Sequence, residues 1–239
     1  MKNFLPLLLA GAFLLAGQPL RAAPTPDAAL VAARDARDQA DIAALRQAIA
    51  RDLVSAQQTN TAAAYLRLAL FEYWLCEAAH GHDDDKLVAA SAQAGIAYTE
   101  KSIKLDPNLA EAHRLQGVLL GELIPQVFAG GMRYGSRAAA ELDRAIQLDP
   151  HDAEALIGRA FGYFSTPAAF GGSRSKAIEL LNQAVALDPA SDTAHLWLAQ
   201  VYHAQSRPVD ALREINEASR LNPNRAWTHR VFKQIEPAK

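Results

Sequence analysis

Ligand-type side chains are concentrated in residues 80–85, which read His-Gly-His-Asp-Asp-Asp. Imidazole and carboxylate groups can hold zinc or a similar ion. These side chains are adjacent in sequence, however, and no second cluster lies at a defined spacing from them. The stretch is therefore typical of a solvated turn whose aspartates cap the positive end of the following helix. We predict no metal site and no cofactor.

Groups that could form a hydrolase triad are Ser165, Asp188 and His195. The Gly-x-Ser-x-Gly turn that would expose a nucleophilic serine does not occur in the sequence. His195 and His113 occupy equivalent places after Asp-Pro pairs, but Leu156 fills the same place between them. Because leucine can neither bind a metal nor transfer a proton, its presence at the equivalent position indicates that the side chains there serve packing. We therefore predict no catalytic residues and no enzyme activity.

Two glycine-containing insertions, residues 125–137 and 167–176, share a spacing that could bind an anion. Each has Pro, Phe three residues later, Gly-Gly, and then an arginine, which is Arg133 or Arg174. Exposed backbone amides, a helix N-terminus and the arginine would all favour negative charge.

A structural role is the alternative for both insertions. Glycine accepts positive φ, and Ser136 or Ser173 could begin the helix that follows. Neither insertion has the Gly-x-x-x-x-Gly-Lys-[Ser/Thr] spacing of a phosphate-binding P-loop.

The elements that would position these residues follow a repeated tripeptide. Leu-Asp-Pro ends at Pro107, Pro150 and Pro189, and Leu-Asn-Pro ends at Pro223. Before the last three prolines, alanine, a branched aliphatic and alanine recur at offsets of twelve, eight and five residues. These offsets place the three side chains on one helix face. Proline then ends the helix because it disfavours the helical conformation of the residue before it.

A second helix is predicted after each of the first three prolines. Alanine lies five residues after each of these prolines, a small residue lies ten residues after it, and a large apolar residue lies thirteen residues after it. Each unit is therefore expected to be a helix hairpin with a close crossing where the small residues meet.

This pattern closely resembles the tetratricopeptide repeat family, which has a period of 34 residues. Residues 192–225 match that period, and residues 153–191 and 110–152 match it with insertions. Residues 61–109 form an earlier, degenerate unit. The resemblance implies an all-α, right-handed superhelical solenoid of helix hairpins with N- and C-terminal capping helices. The matching signature positions of the last unit are Ala199, Tyr202, Ala211, Ile215, Ala218 and Pro223.

Both ends of the repeat region carry amphipathic segments. Within residues 23–60, a short tether at 24–26 precedes an amphipathic helix from Asp41 to Ser55. At the far end, residues 226–239 are expected to form a C-terminal capping helix and tail, with Asn224 as its cap.

Residues 1–22 resemble a secretory signal peptide. Lys2 precedes an apolar run from Phe4 to Ala16, and small residues follow Arg21. The apolar run is shorter than the roughly 20 residues of a membrane span. We predict cleavage after Ala22, with Ala23 as the second choice, a periplasmic or secreted location, and no membrane span after removal of the signal.

The composition excludes several classes of protein. The chain has 239 residues, of which 50% are hydrophobic and 21% charged, so it can bury a core and is not disordered throughout. Its formal net charge of −2 argues against a nucleic-acid partner. A single cysteine, Cys76, excludes an intrachain disulfide.

If the units stack as in the family, their first helices line a concave groove that is largely apolar and aromatic. It lacks the Lys and Asn clamp with which some tetratricopeptide proteins hold a terminal carboxylate. The predicted partner-binding side chains are Leu70, Tyr73, Trp74, Arg114, Phe161, Phe164, Gln200 and His203.

Two functions fit such a groove. The first is an exported scaffold for protein–protein interaction that binds a protein or peptide partner. The alternative is a ligand-binding accessory subunit of a solute transport system, which would take a small apolar ligand. The chain loosely resembles exported helical-repeat subunits of some transporters, because these also have glycine-containing insertions between repeats.

Overall fold

The computed structural model describes residues 27–236, which form eleven α-helices and one short 3₁₀ helix, Ala168–Phe170. The α-helices are α1 (Ala28–Asp38), α2 (Ile42–Thr59), α3 (Ala62–His80), α4 (Asp85–Leu105), α5 (Ala110–Leu123), α6 (Gly130–Leu148), α7 (Ala153–Ser165), α8 (Arg174–Leu187), α9 (Asp192–Ala204), α10 (Pro208–Leu221) and α11 (Ala226–Ile235).

The helices pack as a stack of hairpins. The pairs α3–α4, α5–α6, α7–α8 and α9–α10 each pack along their length. The first helix of each pair also contacts the first helix of the next pair, so that α3, α5, α7 and α9 form one row. This arrangement confirms the expected all-α solenoid.

The repeated Leu-Asp-Pro tripeptide forms the turn between units. Asp106, Asp149 and Asp188 each accept a hydrogen bond from the backbone N–H two residues on, at 3.0, 2.9 and 3.0 Å. The next helix then begins at a capping side chain, because Asp152 and Ser191 accept from the third N–H of α7 and α9. The polar residues of the turn thus satisfy backbone groups that both helix ends leave free.

Small residues sit where the helices of a hairpin cross. A Cβ at Gly117 of α5 would lie 2.6 Å from Leu142 Cγ and 2.9 Å from the Ala138 carbonyl oxygen of α6. Ala199 and Ala211 are likewise fully buried in the last unit. The predicted repeat register is therefore the register in which the hairpins pack.

The N-terminal part holds one more helix than the sequence predicts. Helix α1 is capped by Asp27, whose side chain accepts from Ala29 N at 2.9 Å. Its Ala33 and Ala36 pack in the core against Trp74 of α3. The helix has a weak sequence signal because its buried stripe consists largely of alanine.

The predicted cap of the last helix is wrong. Helix α11 begins after Arg225 without a side-chain cap, and Asn224 instead donates its N–H to Asn222 Oδ1 at 3.4 Å. Arg225 occupies the capping position, and its side chain is engaged elsewhere in the core, as described below.

The predicted signal peptide at 1–22 and the tether at 24–26 lie outside the described residues. Within residues 27–236, no helix is both long enough and apolar enough to cross a membrane.

Candidate functional site: a closed concave pocket

A pocket of about 350 Å³ lies on the concave side of the row of first helices. Helices α3, α5, α7 and α9 form its floor and walls, and α11 crosses to close one side. Its lining includes Tyr73, Glu77, His80, Arg114, Val118, Gly121, Glu122, Glu154, Ile157, Phe161, Trp197, Gln200, Trp227 and Arg230.

A buried ion pair joins the last helix to the first unit. Arg225 donates from Nε and Nη2 to the two carboxylate oxygens of Glu77, at 2.8 and 2.9 Å. Its Nη1 also donates to Asp192 and Thr193, at 3.0 and 2.8 Å. Burial disfavours the charge on Arg225, but Glu77 outweighs this effect and the pKa of the guanidinium is raised. We call this contact between α3 and the start of α11 the closing ion pair.

Further contacts support the closing ion pair. Arg230 of α11 donates to the carbonyl oxygen of His80 at the end of α3. Asn222 donates from Nδ2 to Asp38 of α1 at 3.2 Å. The two ends of the described chain therefore meet beside the pocket.

One wall of the pocket is aromatic. The ring of Trp197 lies 4.8 Å from that of Phe161 and 5.1 Å from that of Trp227, measured between centroids. The Trp197 and Trp227 rings meet edge to face at 77°, which is a favoured geometry for aromatic pairs. Phe161, Trp197 and Trp227 are called the aromatic wall below.

Other residues of the pocket lining are polar. His80 Nε2 lies 2.7 Å from Glu122 Oε2, and this hydrogen bond raises the pKa of the imidazole. Burial raises the pKa of the Tyr73 phenol, and the nearby Glu77 carboxylate adds to the effect. Arg114 Nε lies 3.1 Å from Asp152 Oδ2. Charged groups in the pocket are thus mostly held in pairs.

Two comparisons with known proteins bear on the family. Residues 172–229 match the family model of the tetratricopeptide repeat. A thermophilic tetratricopeptide-repeat protein of Thermus thermophilus has the same fold, with a TM-score of 0.63 and 18% identity over 87% of this chain and 98% of its own. The chain therefore has the fold of tetratricopeptide-repeat proteins, and its residues 172–229 match the family's sequence model.

MamA of Desulfovibrio magneticus RS-1, from its residue 41 to its end, is similar at 18% identity over 82% of this chain and 96% of its own, with a TM-score of 0.46. No curated protein sequence matches the chain.

The structure brings together half of the side chains predicted for the groove. Four of the eight, Tyr73, Arg114, Phe161 and Gln200, line the pocket. Helix α11 was assigned to capping in the sequence analysis, yet it supplies part of the pocket wall.

The other four predicted groove side chains lie elsewhere. Trp74 is buried against α1 and stacks on Phe71 at 5.6 Å, because the unforeseen first helix covers it. Leu70 packs in the core between units, and Phe164 packs behind Trp197. His203, in the last turn of α9, is exposed.

Several pocket residues were missed by the sequence analysis. Trp197 and Glu154 lie on first helices, so the assignment of these helices to the concave face could have included them. Trp227 had no such signal, because its position depends on the contact between Arg225 and Glu77, which are 148 residues apart in sequence.

The two insertions, alike in sequence, differ in structure. In the first, α6 already begins at Gly130, so that Ser136 lies inside the helix and the expectation that it begins one is wrong. In the second, Ser173 caps α8 by accepting from Lys176 N at 3.3 Å, as predicted. A Cβ at Gly130 or at Gly172 would overlap a backbone carbonyl oxygen, so glycine is required at both for close approach.

The insertion arginines do not converge on a common site. Arg174 donates to the Ala204 carbonyl oxygen at 3.0 Å, and Arg133 lies over the ring of Tyr134. Each insertion leaves its phenylalanine in solvent, since Phe128 is 99% exposed and Phe170 is 81% exposed.

The remaining ligand-type residues have structural contacts. Asp84 caps α4 by accepting from Leu87 N at 3.0 Å, which confirms the interpretation of residues 80–85 as a capping turn. His113 and His195 each place Nδ1 2.7 Å from a glutamate of the paired helix, Glu141 or Glu214. Within residues 27–236, no three His, Cys, Asp or Glu side chains are grouped so that they could hold a metal ion.

Proposed function

We propose that this tetratricopeptide-repeat scaffold binds a short segment of a protein or peptide partner in its concave pocket. The observation that carries the proposal is the pocket itself, which is built from the first helices of four consecutive units and closed by α11. Its volume and its combination of an aromatic wall with a few polar groups are typical of binding sites.

The size of the pocket favours a small occupant. At about 350 Å³, its volume lies at the lower end of the roughly 300–1,000 Å³ that is typical of ligand pockets. An extended segment that inserts one or two side chains fits such a pocket.

Gly121 offers a way to fill the pocket without disturbing the stack. It lines the pocket on α5, and a Cβ there would have one neighbour within 4 Å, Phe161 Cε1 at 3.7 Å. Gly135 on α6 provides the matched control, because a Cβ at that site meets nothing within 4 Å and the site is outside the pocket.

The experiment selects peptides from a randomised library on the purified protein and measures their affinities by fluorescence anisotropy. Gly121→Leu should weaken the selected peptides at least about tenfold, equal to about 1.4 kcal/mol, whereas Gly135→Leu should leave them unchanged. No enrichment of peptides over an empty surface, or equal binding to Gly121→Leu, would contradict the proposal.

Export is part of the proposal. Its support is the signal-like pattern from Lys2 to Ala23. Amino-terminal sequencing of the protein from its native host should find the chain beginning at Ala23 or Pro24. A bulk population that begins at Met1 would show that the segment is not removed.

The closing ion pair favours a second candidate, a ligand-binding accessory subunit of a solute transport system. A pocket bordered by the contact between Arg225 and Glu77 suits a small molecule. Native mass spectrometry of the purified protein distinguishes the two candidates: a bound small molecule of constant mass supports the accessory subunit, and an empty protein that binds selected peptides supports the scaffold.

A further inference from the structure

The carboxylate of Glu154 has no ionic or hydrogen-bond partner within residues 27–236. Of the other two pocket glutamates, Glu77 is held by Arg225, and Glu122 by His80. Glu154 lies at the second position of α7 and lines the pocket, where solvent reaches it. The pocket thus contains a negative group that the protein itself does not pair.

The charged and titratable groups around Glu154 do not neutralise it. The two nearby cations lie closer to other carboxylates: Arg114 Nε is 3.1 Å from Asp152 Oδ2, although it forms no hydrogen bond there, and Arg225 binds Glu77 and Asp192. The confined position raises the pKa of Glu154, an effect that Arg114 opposes and Asp152 reinforces. Groups that face it are Arg114 of α5, Asp152 of the preceding turn, Asp192 of α9, Arg225 before α11, and Tyr73 of α3.

The aromatic wall is suited to a cation. The negative face of an aromatic ring attracts ammonium and guanidinium groups. The guanidinium carbon of Arg225 already lies 5.1 Å from the centre of the Trp227 ring. Phe161 and Trp197 extend the same wall within the pocket.

An amide completes the polar lining. Gln200 Nε2 is buried and has no hydrogen-bond partner in the described part of the chain. Gln200 lines the pocket, and its amide can donate or accept a hydrogen bond. A ligand that carries a polar group beside its charge would satisfy it.

We propose that the pocket recognises a protonated amine attached to an apolar group, with Glu154 as its counter-ion and the aromatic wall around its apolar part. The inference rests on the proposed function, in which the amine belongs to the peptide partner as a lysine side chain or a free amino terminus. The charge of this site is negative, whereas a clamp for a terminal carboxylate is positively charged. Glu154 is the residue that sets the charge preference.

The first test uses three small probes of similar shape: 2-phenylethylammonium, 2-phenylethanol and 3-phenylpropionate. Binding is followed by NMR of the indole N–H groups of Trp197 and Trp227, with Trp74 as an internal control outside the pocket. The ammonium should bind at least about tenfold more tightly than the alcohol, and the carboxylate should bind most weakly. Equal affinities for the three probes would overturn the inference.

Variants identify the counter-ion. Glu154→Gln keeps the shape and removes the charge, and it should abolish the preference for the ammonium over the alcohol. Glu179→Gln is the control, since Glu179 on α8 is exposed and outside the pocket. Loss of the preference in Glu179→Gln as well, or its survival in Glu154→Gln, would show that Glu154 is not the counter-ion.

The selected peptides separate this inference from the proposed function. Replacing lysine by norleucine, and acetylating the amino terminus, removes each source of the amine in turn. One of the two changes should weaken binding about tenfold or more in the wild type but not in Glu154→Gln. Peptides that bind the pocket regardless of both changes would support the scaffold and overturn the inference. Amine probes that bind when no peptide does would support the inference and overturn the peptide scaffold.

Discussion

Glu77 and Glu154 face the same pocket with opposite surroundings. Glu77 is buried and bound at both oxygens by Arg225 at the contact that closes the pocket. Glu154 reaches solvent inside the pocket and has no partner among the residues that the structure describes. The difference shows that a carboxylate in a pocket can either join parts of the fold or remain available to a ligand.

The comparison predicts opposite effects of mutation. A buried ion pair gives the fold little more stability than a pair of apolar side chains would. Removing one member of the ion pair, however, leaves an uncompensated buried charge and lowers the stability strongly. Glu154 has no cationic partner, so replacing it leaves no uncompensated charge. Changes at the closing ion pair should therefore affect stability, and changes at Glu154 should affect binding.

The largest expected effect is that of Arg225→Ala. It leaves Glu77 buried without its cation and should reduce the free energy of unfolding by about 3–5 kcal/mol. Urea denaturation followed by far-UV circular dichroism measures this loss. Arg220→Ala, which removes an exposed arginine paired with Glu217, should leave the midpoint unchanged. Equal midpoints for the two variants would show that the closing ion pair does not hold the ends together.

Glu72 extends the comparison to a buried carboxyl group that forms no ion pair within the described residues and lies outside the pocket. Burial raises its pKa from 4.5 to about 7. The folded state then holds the proton of Glu72 more tightly than the unfolded state does. Protonated Glu72 therefore stabilises the fold at low pH, and this stabilisation is lost as pH rises from 4.5 through about 7. A shift of this size corresponds to about 3 kcal/mol.

The prediction for Glu72 is tested by unfolding at a series of pH values. The wild type should lose stability across that range, and the loss should be smaller in Glu72→Gln. His80 and Glu154, whose pKa values are also raised, act in the same direction, so the difference between the two proteins isolates Glu72. Parallel curves for the two proteins would contradict the assignment.

Phe161 and Phe164 provide a third comparison, between a pocket wall and the layer behind it. The sequence analysis assigned both to the groove, but within the described structure Phe161 lines the pocket and Phe164 does not. Phe161→Ala should weaken peptide or amine binding by roughly thirtyfold, or about 2 kcal/mol. Phe164→Ala should leave affinity within about threefold of the wild type, as measured by anisotropy. The reverse order would place the binding surface outside the pocket.

The smallest effects on binding are expected at the insertions. Arg133→Ala and Arg174→Ala change side chains that lie outside the pocket and that contact Tyr134 and the Ala204 carbonyl. Both variants should bind the selected peptides as the wild type does. Loss of binding in either would move the active surface to the insertion edge, where the sequence analysis had placed a possible anion site.

The sequence was sufficient for the local architecture. Alanines at fixed offsets from each proline define the helix face that packs, and the aspartates of the Leu-Asp-Pro turns bond to backbone groups two residues away. These are short-range effects. Their outcome, including the buried Ala199 and Ala211, could therefore be predicted from spacing alone.

The pocket could be predicted only in part, because its closure depends on distant residues. Nothing near Arg225 in sequence indicates that it binds Glu77, and the ion pair brings Trp227 into the pocket wall. The alanine-rich α1 was overlooked for a related reason, and its cover over Trp74 removed that side chain from the groove. Tertiary contacts, which leave no local period, decided each of these positions.

Proton release on amine binding tests the central claim most directly. If Glu154 is the counter-ion, an ammonium ligand lowers its raised pKa, and a proton leaves the protein at mildly acidic pH. Calorimetric titration with 2-phenylethylammonium in two buffers of different ionisation enthalpy measures that proton. The wild type should release a proton fraction that Glu154→Gln does not release. Binding without proton release in the wild type, or equal release by both proteins, would contradict the account.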